Sequence, residues 1–170
     1  MVPVSVNVSR ANVYSARFAD GFCKMMKKYN LDPMYLHIEI TESAYTENVE
    51  QIVSAVKNLR ENGFRIELDD FGQGYSSLSV LSEMPLDVMK LDMGFVRSNL
   101  DRDDDNGIIG DVINMAHRMS MKVVAEGVET LEQANQLEAM GCDFAQGYYF
   151  SRPVSADDFE KLLIERKCIK

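Results

Sequence analysis

Val2, Val4, Val6 and Val8 alternate with Pro3, Ser5 and Asn7, a period of two that predicts a first strand over Val2–Val8. Phe18, Phe22, Met25 and Met26 then recur at helical spacing, with Lys24, Lys27 and Lys28 largely off that face. In Tyr35–Thr41, Leu36, Ile38 and Ile40 alternate with His37, Glu39 and Thr41, so a second strand delivers Glu39 to its carboxyl end. Val49, Ile52, Val53, Val56 and Leu59 share one face of a helix that Thr46 can cap and Gly63 can end. Phe64, Ile66 and Leu68 lead to Asp69-Asp70 at the end of a third strand. A glycine-rich turn, Phe71–Ser77, follows, and Ser76 or Ser77 caps a short helix over Leu78–Met84.

Beyond the Pro85 break, Val88–Asp92 is a brief strand carrying Lys90 between apolar neighbours, and Asn99–Asn106 reads as a solvated acidic loop. Ile108, Ile109, Val112, Ile113, Ala116 and Met119 mark the next helix, which is followed by a strand at Lys122–Ala125 and the turn Glu126-Gly127-Val128-Glu129. Thr130 and Gln133 have capping-box spacing, and Ala134, Leu137 and Met140 continue a buried stripe that Gly141 ends. Cys142–Phe150 predicts a last strand through Gln146-Gly147, and Ser155 caps a final helix with Phe159, Leu162 and Leu163 inward.

Strand followed by helix, repeated six times with long crossovers, excludes simple hairpins. It predicts an α/β fold with a parallel sheet covered by helices, either a barrel or an open sheet. Both architectures place chemistry at the carboxyl ends of the strands. There the chain sets Asn7, Glu39, Asp69, Asp70, Lys90, Glu126 and Gln146. Two carboxylates about 4 Å apart repel by roughly 4 kcal/mol at an effective dielectric of about 20, so convergent acids call for cations. Oxygen-only ligands select Mg²⁺ or Mn²⁺, and two such ions about 3.5–4 Å apart clamp the attacking and leaving oxygens of a phosphodiester.

Several of these residues admit a plainer role. Lys90 either supplies charge to a phosphate or pairs with a neighbouring acid such as Glu67. Glu42 lies past the strand and suits bracing a loop, and Glu129 precedes the Thr130 cap, where an acid favours the helix N-terminus. Gln146 is either a buried amide in a tight bend or support for a metal-bound water. Tyr148, Tyr149 and Phe150 read as core and rim aromatics, and His37 as a strand histidine with a local hydrogen-bond partner.

Composition narrows the classes. At 170 residues and 46% hydrophobic content the chain suits one domain with a sizeable core. With 18 Lys+Arg against 27 Asp+Glu the formal charge is −9, which disfavours binding to DNA, RNA or anionic lipid. No apolar run approaches the roughly 20 residues that span a bilayer, and no signal peptide is readable, so a cytoplasmic protein without membrane insertion is expected. Cys23, Cys142 and Cys168 make neither a disulfide framework nor a zinc site, and the eleven Met residues suit adaptable core filling.

Taken in order, Asn7-Val8-Ser9, Glu39-Ile40-Thr41-Glu42, Asp69-Asp70-Phe71-Gly72-x-Gly74-Tyr75-Ser76-Ser77, Lys90-Leu91-Asp92, Val124-Ala125-Glu126-Gly127-Val128-Glu129-Thr130 and Gln146-Gly147-Tyr148-x-Phe150-Ser151-x-Pro153 resemble the EAL-domain cyclic di-GMP phosphodiesterases of bacteria. The resemblance spans essentially the whole chain. It implies a (β/α)₈ TIM-type barrel that hydrolyses cyclic di-GMP to linear pGpG with two Mg²⁺ or Mn²⁺ ions, Ca²⁺ being inhibitory. By motif, Asn7, Glu39, Asp69, Asp70 and Glu126 correspond to metal ligands. Lys90 corresponds to the residue that positions or activates the attacking water, Gln146 to support of the metal–water shell, and Glu42 to the anchor of the loop Phe71–Ser77. Glu129 corresponds to a further family acid.

Two departures stand out. The Glu-Ala-Leu triplet that names the family, with its metal-binding glutamate and a nearby substrate-binding arginine, precedes the Asn-Val-Ser strand in the family and is not in this sequence. Residues 1–170 are therefore expected to form a single partial domain, an incomplete barrel with about six of eight βα units. Unpaired sheet edges then predict self-association into a homo-oligomer, and hydrolysis that is weak or absent in this chain alone. The alternative is a non-catalytic module for cyclic di-GMP binding or dimerisation. A longer parent is expected to carry cyclase or sensory domains. The second departure is Gln73, where the family resemblance leads to Thr or Ser.

Overall fold

The computed structural model describes residues 2–13, 18–42, 49–73, 78–100 and 107–165. Six parallel strands lie in chain order in one sheet: β1 (Val4–Asn7), β2 (Leu36–Thr41), β3 (Arg65–Phe71), β4 (Val88–Leu91), β5 (Lys122–Ala125) and β6 (Phe144–Ala145). The helices are α1 (Arg10–Val13), α2 (Phe18–Lys28), α3 (Val49–Glu61), α4 (Leu78–Glu83), α5 (Met93–Leu100), α6 (Ile108–Arg118), α7 (Leu131–Ala139) and α8 (Ala156–Glu165). The sheet curls into half of a barrel, the incomplete TIM-type architecture expected from the repeated strand–helix order.

The alternation within each strand sorts side chains onto two faces. Ile38, Ile40, Ile66, Leu68, Met89, Leu91, Val123 and Ala125 are fully buried in the core that the sheet shares with Ile52, Val56 and Leu59 of α3 and Ile109 and Ile113 of α6. Burying one such aliphatic side chain contributes about 1.5–3 kcal/mol, so this layer dominates stability. The opposite, concave face carries the polar partners of the alternation: Ser5 and Asn7 on β1, His37 and Glu39 on β2, Glu67 and Asp69 on β3, Lys90 on β4.

One device returns the chain from helix to strand. At the ends of α2, α3, α6 and α7 a residue in the left-handed region, Asn30, Gly63, Ser120 or Gly141, donates to the carbonyl three residues back. The next N–H reaches the carbonyl five residues before it, a Schellman closure that satisfies two orphan carbonyls and turns the chain sharply. Gly63 and Gly141 were legible as helix stops; Asn30 and Ser120 adopt the same conformation with a side chain present.

Several expectations need correction. The last strand spans only Phe144–Ala145, because Gly147 N-terminal to a tight turn brings Gln146 O onto Val128 N and Val128 O onto Tyr149 N. Tyr148, Tyr149 and Phe150 are consequently exposed rim residues, with no place in the core. Along α8 Phe159 and Leu163 are exposed, and no residue of the helix is fully buried. Met25 and Ile108 likewise lie at the edges of their helical stripes and are exposed. Asn99 and Leu100 close α5 as buried residues and do not open a solvated loop. The caps assigned to Thr46 and to Ser76 or Ser77 fall outside the described residues, whereas Ser155 Oγ accepts from Asp158 N and the Thr130–Gln133 box forms with both its bonds.

Candidate functional site

The acids after β3 sit at an irregularity that alternation alone does not predict. Glu67 and Leu68 pair with Val88 and Met89, but Phe71 pairs with Leu91, so β3 spends one residue more than β4 over this stretch. Asp69 and Asp70 together oppose Lys90. The strand does not stop at Leu68; it continues through Asp70, at φ +60, to Phe71. A bulge of this kind re-aims side chains, and here it brings two consecutive carboxylates to the same rim.

Lys90 lies at the centre. Its Nζ stands 2.8 Å from Glu39 Oε1, 3.0 Å from Asp69 Oδ1 and 2.8 Å from Glu126 Oε1. The four residues come from β2, β3, β4 and the turn after β5, and Lys90, Glu39 and Asp69 are all buried. Glu67 is not the partner of Lys90: its carboxylate lies one layer deeper, accepting from Ser5 Oγ at 3.0 Å and meeting His37 Nδ1 at 2.5 Å. His37 thus has the local partner expected of it.

Electrostatics follow from three carboxylates around one ammonium. Burial alone would depress Lys90, but hydrogen bonds to Glu126, Glu39 and Asp69 outweigh it and hold the amine above the ordinary lysine range. Glu39 and Glu126 are both raised, first by burial and further by neighbouring acids, with Lys90 opposing. Asp70 is raised by burial, by Asp69 and by Asp92. One lysine does not neutralise this rim.

Around that centre, Gln146 Nε2 donates to Glu126 Oε1 at 2.7 Å. Glu42, buried just past β2, accepts from Gly72 N at 3.3 Å and so touches the turn after β3. Asn7 pairs in register with Glu39 on the concave face. Glu129 stands apart from the Lys90 cluster, half-exposed and paired with Arg97 of α5. Two contributors were given no part in the site by sequence reasoning: Asp92, whose Oδ1 caps α5 through Gly94 N and Phe95 N, and Gln73, whose amide reaches Asp70 and Asp92. An Asp three residues before Phe95, with Val96 and Leu100 continuing an apolar stripe, was the available signal for α5 and its cap.

The donor chemistry fits a hard divalent cation, since every candidate ligand offers oxygen: Glu39, Asp69, Asp70, Glu126 and Asn7. With Lys90 between them, no group of three or more His, Cys, Asp or Glu among the described residues is drawn together as a metal cage. Among those residues no helix is long and apolar enough to cross a membrane.

A curled parallel sheet with helices outside and acids at the carboxyl ends of its strands defines a protein of the (β/α)-barrel class. The chain belongs to the EAL domain family, whose sequence model matches residues 1–153. It is 38% identical over 160 residues to cyclic di-GMP phosphodiesterase NbdA of Pseudomonas aeruginosa, covering 94% of this chain and 20% of NbdA. Among solved structures, the EAL domain of Mycobacterium smegmatis DcpA superposes with TM-score 0.90 at 32% identity, covering 99% of this chain and 75% of that one. The MucR phosphodiesterase of Pseudomonas aeruginosa in complex with c-di-GMP superposes with TM-score 0.85 at 32% identity, covering 92% and 64%. The chain spans about a fifth of the length of the first curated relatives it matches.

Proposed function

We propose that this chain carries the cyclic di-GMP phosphodiesterase site of an EAL domain and hydrolyses one phosphodiester of cyclic di-GMP to give linear pGpG. The observation that carries the reading is the convergence of Glu39, Asp69 and Glu126, from three separate segments, on Lys90 of β4. Support comes from family membership and from relatives named as phosphodiesterases of this substrate. Glu39, Asp69, Asp70, Glu126 and Asn7 would hold two Mg²⁺ or Mn²⁺ ions. When bound, such ions supply positive charge to the scissile phosphate and acidify water.

The chain's own groups define the remaining work. Lys90 would turn its ammonium hydrogens toward the attacking water or a phosphate oxygen, oriented by the three acids that surround it. Gln146 holds Glu126, and Glu42 holds the turn after β3 at Gly72 N. Glu129, paired with Arg97, would steady the turn after β5 against α5. We take the chain as cytoplasmic and as self-associating through the open edges of its sheet at β1 and β6. A second reading, a cyclic di-GMP-binding or dimerisation module without chemistry, is favoured by one observation: Lys90 engages the very carboxylates a metal would need.

The test is incubation of the purified chain with cyclic di-GMP and Mn²⁺ or Mg²⁺, with chromatographic detection of pGpG. Turnover that D69A and E39A abolish, and that Ca²⁺ suppresses, is expected. Calorimetric binding of cyclic di-GMP in Ca²⁺ with no product in Mn²⁺ or Mg²⁺ establishes the second reading, and neither binding nor turnover overturns both.

A further inference from the structure

Gln73 occupies the turn after β3, at the position where Thr or Ser was expected. Its Nε2 carries two hydrogens and uses them on two acids: Asp70 Oδ1 at 3.2 Å and Asp92 Oδ2 at 2.7 Å. A hydroxyl has one hydrogen to give and a shorter reach, so neither Thr nor Ser makes this bridge. Asp92 is itself immobilised, because its other oxygen accepts from Gly94 N at 2.8 Å and Phe95 N at 3.2 Å in the first turn of α5. The same turn is seated on α5 by apolar contact. Phe71 meets Phe95 edge-on with ring centroids 6.4 Å apart, and a Cβ added at Gly72, φ +105, would stand 2.8 Å from the Phe95 ring.

We propose that Gln73 is a positioning residue: by bridging Asp70 to Asp92, which is fixed as the cap of α5, it sets the direction of the Asp70 carboxylate and so strengthens divalent-cation binding at the rim. The inference rests on the reading that Asp70 belongs to a metal site. Without the bridge, two like charges face each other across the turn and Asp70, at a backbone angle few non-glycine residues adopt, swings to solvent. Outer partners that orient a ligand are worth about 10- to 100-fold in metal affinity, and an exposed turn places this one at the lower end.

The experiment is calorimetric titration of the full chain with Mn²⁺, without nucleotide, for wild type, Q73A, Q73L and D69A, with a melting curve for each. The expected result is a Kd for Mn²⁺ raised about tenfold in Q73A and equally in Q73L, which keeps the bulk and loses the donors, with melting temperatures unchanged. Wild-type Mn²⁺ affinity in both variants, alongside loss in D69A, overturns the role of Gln73 and leaves the metal site standing. A lowered melting temperature at unchanged affinity also overturns it, by making Gln73 merely structural. Wild type that does not bind Mn²⁺ overturns the metal-site reading and the Gln73 role with it.

Discussion

Asp143 does before β6 what Asp87 does before β4. Oδ2 of each accepts from the second backbone N–H of the preceding strand, Ile66 N or Val123 N, both at 2.9 Å. Oδ1 of each meets the basic residue that opens that strand, Arg65 at 2.8 Å or Lys122 at 2.6 Å. A basic residue from the last turn of the helix before it completes each clasp, Arg60 from α3 or His117 from α6. Two clasps therefore pin strand to strand at the end of the sheet opposite the candidate site.

The Asp143 clasp predicts a pH dependence of stability. Burial opposes the charge on Asp143, but hydrogen bonds from Lys122, His117 and Val123 N outweigh it and hold the carboxyl below its ordinary value of 3.8. A group depressed in the folded state contributes stability that is present above the unfolded value and lost as pH falls through the folded one. The urea midpoint of the wild type should therefore fall below about pH 4 more steeply than that of D143N. At pH 7, D143N should be less stable by about 1.5–3 kcal/mol, the range for hydrogen bonds to a charged group.

Removing Lys90 should cost stability as well as function. K90M leaves the buried Glu39 and Asp69 and the partly buried Glu126 as carboxylates without their shared cation, which costs about 3–5 kcal/mol. Glu39 and Glu126 are raised already and rise further in the variant, so their protonation on acidification relieves the penalty. Chemical denaturation of K90M and wild type at pH 7.5 and pH 5 checks this, the gap between the two proteins narrowing at the lower pH.

The tight turn at Gly147 should tie stability to the site. A Cβ there would stand 2.2 Å from Val128 O and 2.3 Å from Val128 N, so G147A forces the turn after β5 away from Gln146. Overpacking of this kind costs about 1–3 kcal/mol. The Gln146–Glu126 bond at 2.7 Å should be lost with it, and Q146A should reproduce the functional defect in turnover or nucleotide binding while melting like wild type.

Ligand removal gives a further check. If the rim binds divalent cations with nucleotide, Ca²⁺ plus cyclic di-GMP at about 100 times the Kd should stabilise the fold by about 2.7 kcal/mol, and EDTA should reverse the gain. Differential scanning fluorimetry reads the shift directly, and D69A should show none.

Strand alternation and helical stripes determined much of this protein in advance. Six βα units, the parallel order, the Schellman stop at Gly63 and the Thr130 capping box were legible because period, turn chemistry and capping are local properties of neighbouring residues. The candidate rim, from Glu39 to Gln146, was legible because a parallel sheet sends the carboxyl ends of its strands to one side. Tertiary structure alone decided the rest. That Asp69 and Asp70 together face Lys90 depends on a register shift between β3 and β4, and a shift exists only once two strands pair. That Lys90 chooses Glu39, Asp69 and Glu126 over Glu67 depends on which layer of a curled sheet each side chain enters. The exposure of Phe159, Leu163 and the Tyr148–Phe150 aromatics, and the reach of Gln73 to Asp92, are contacts between distant segments, and hydrophobicity or polarity along a chain does not specify its neighbour across space.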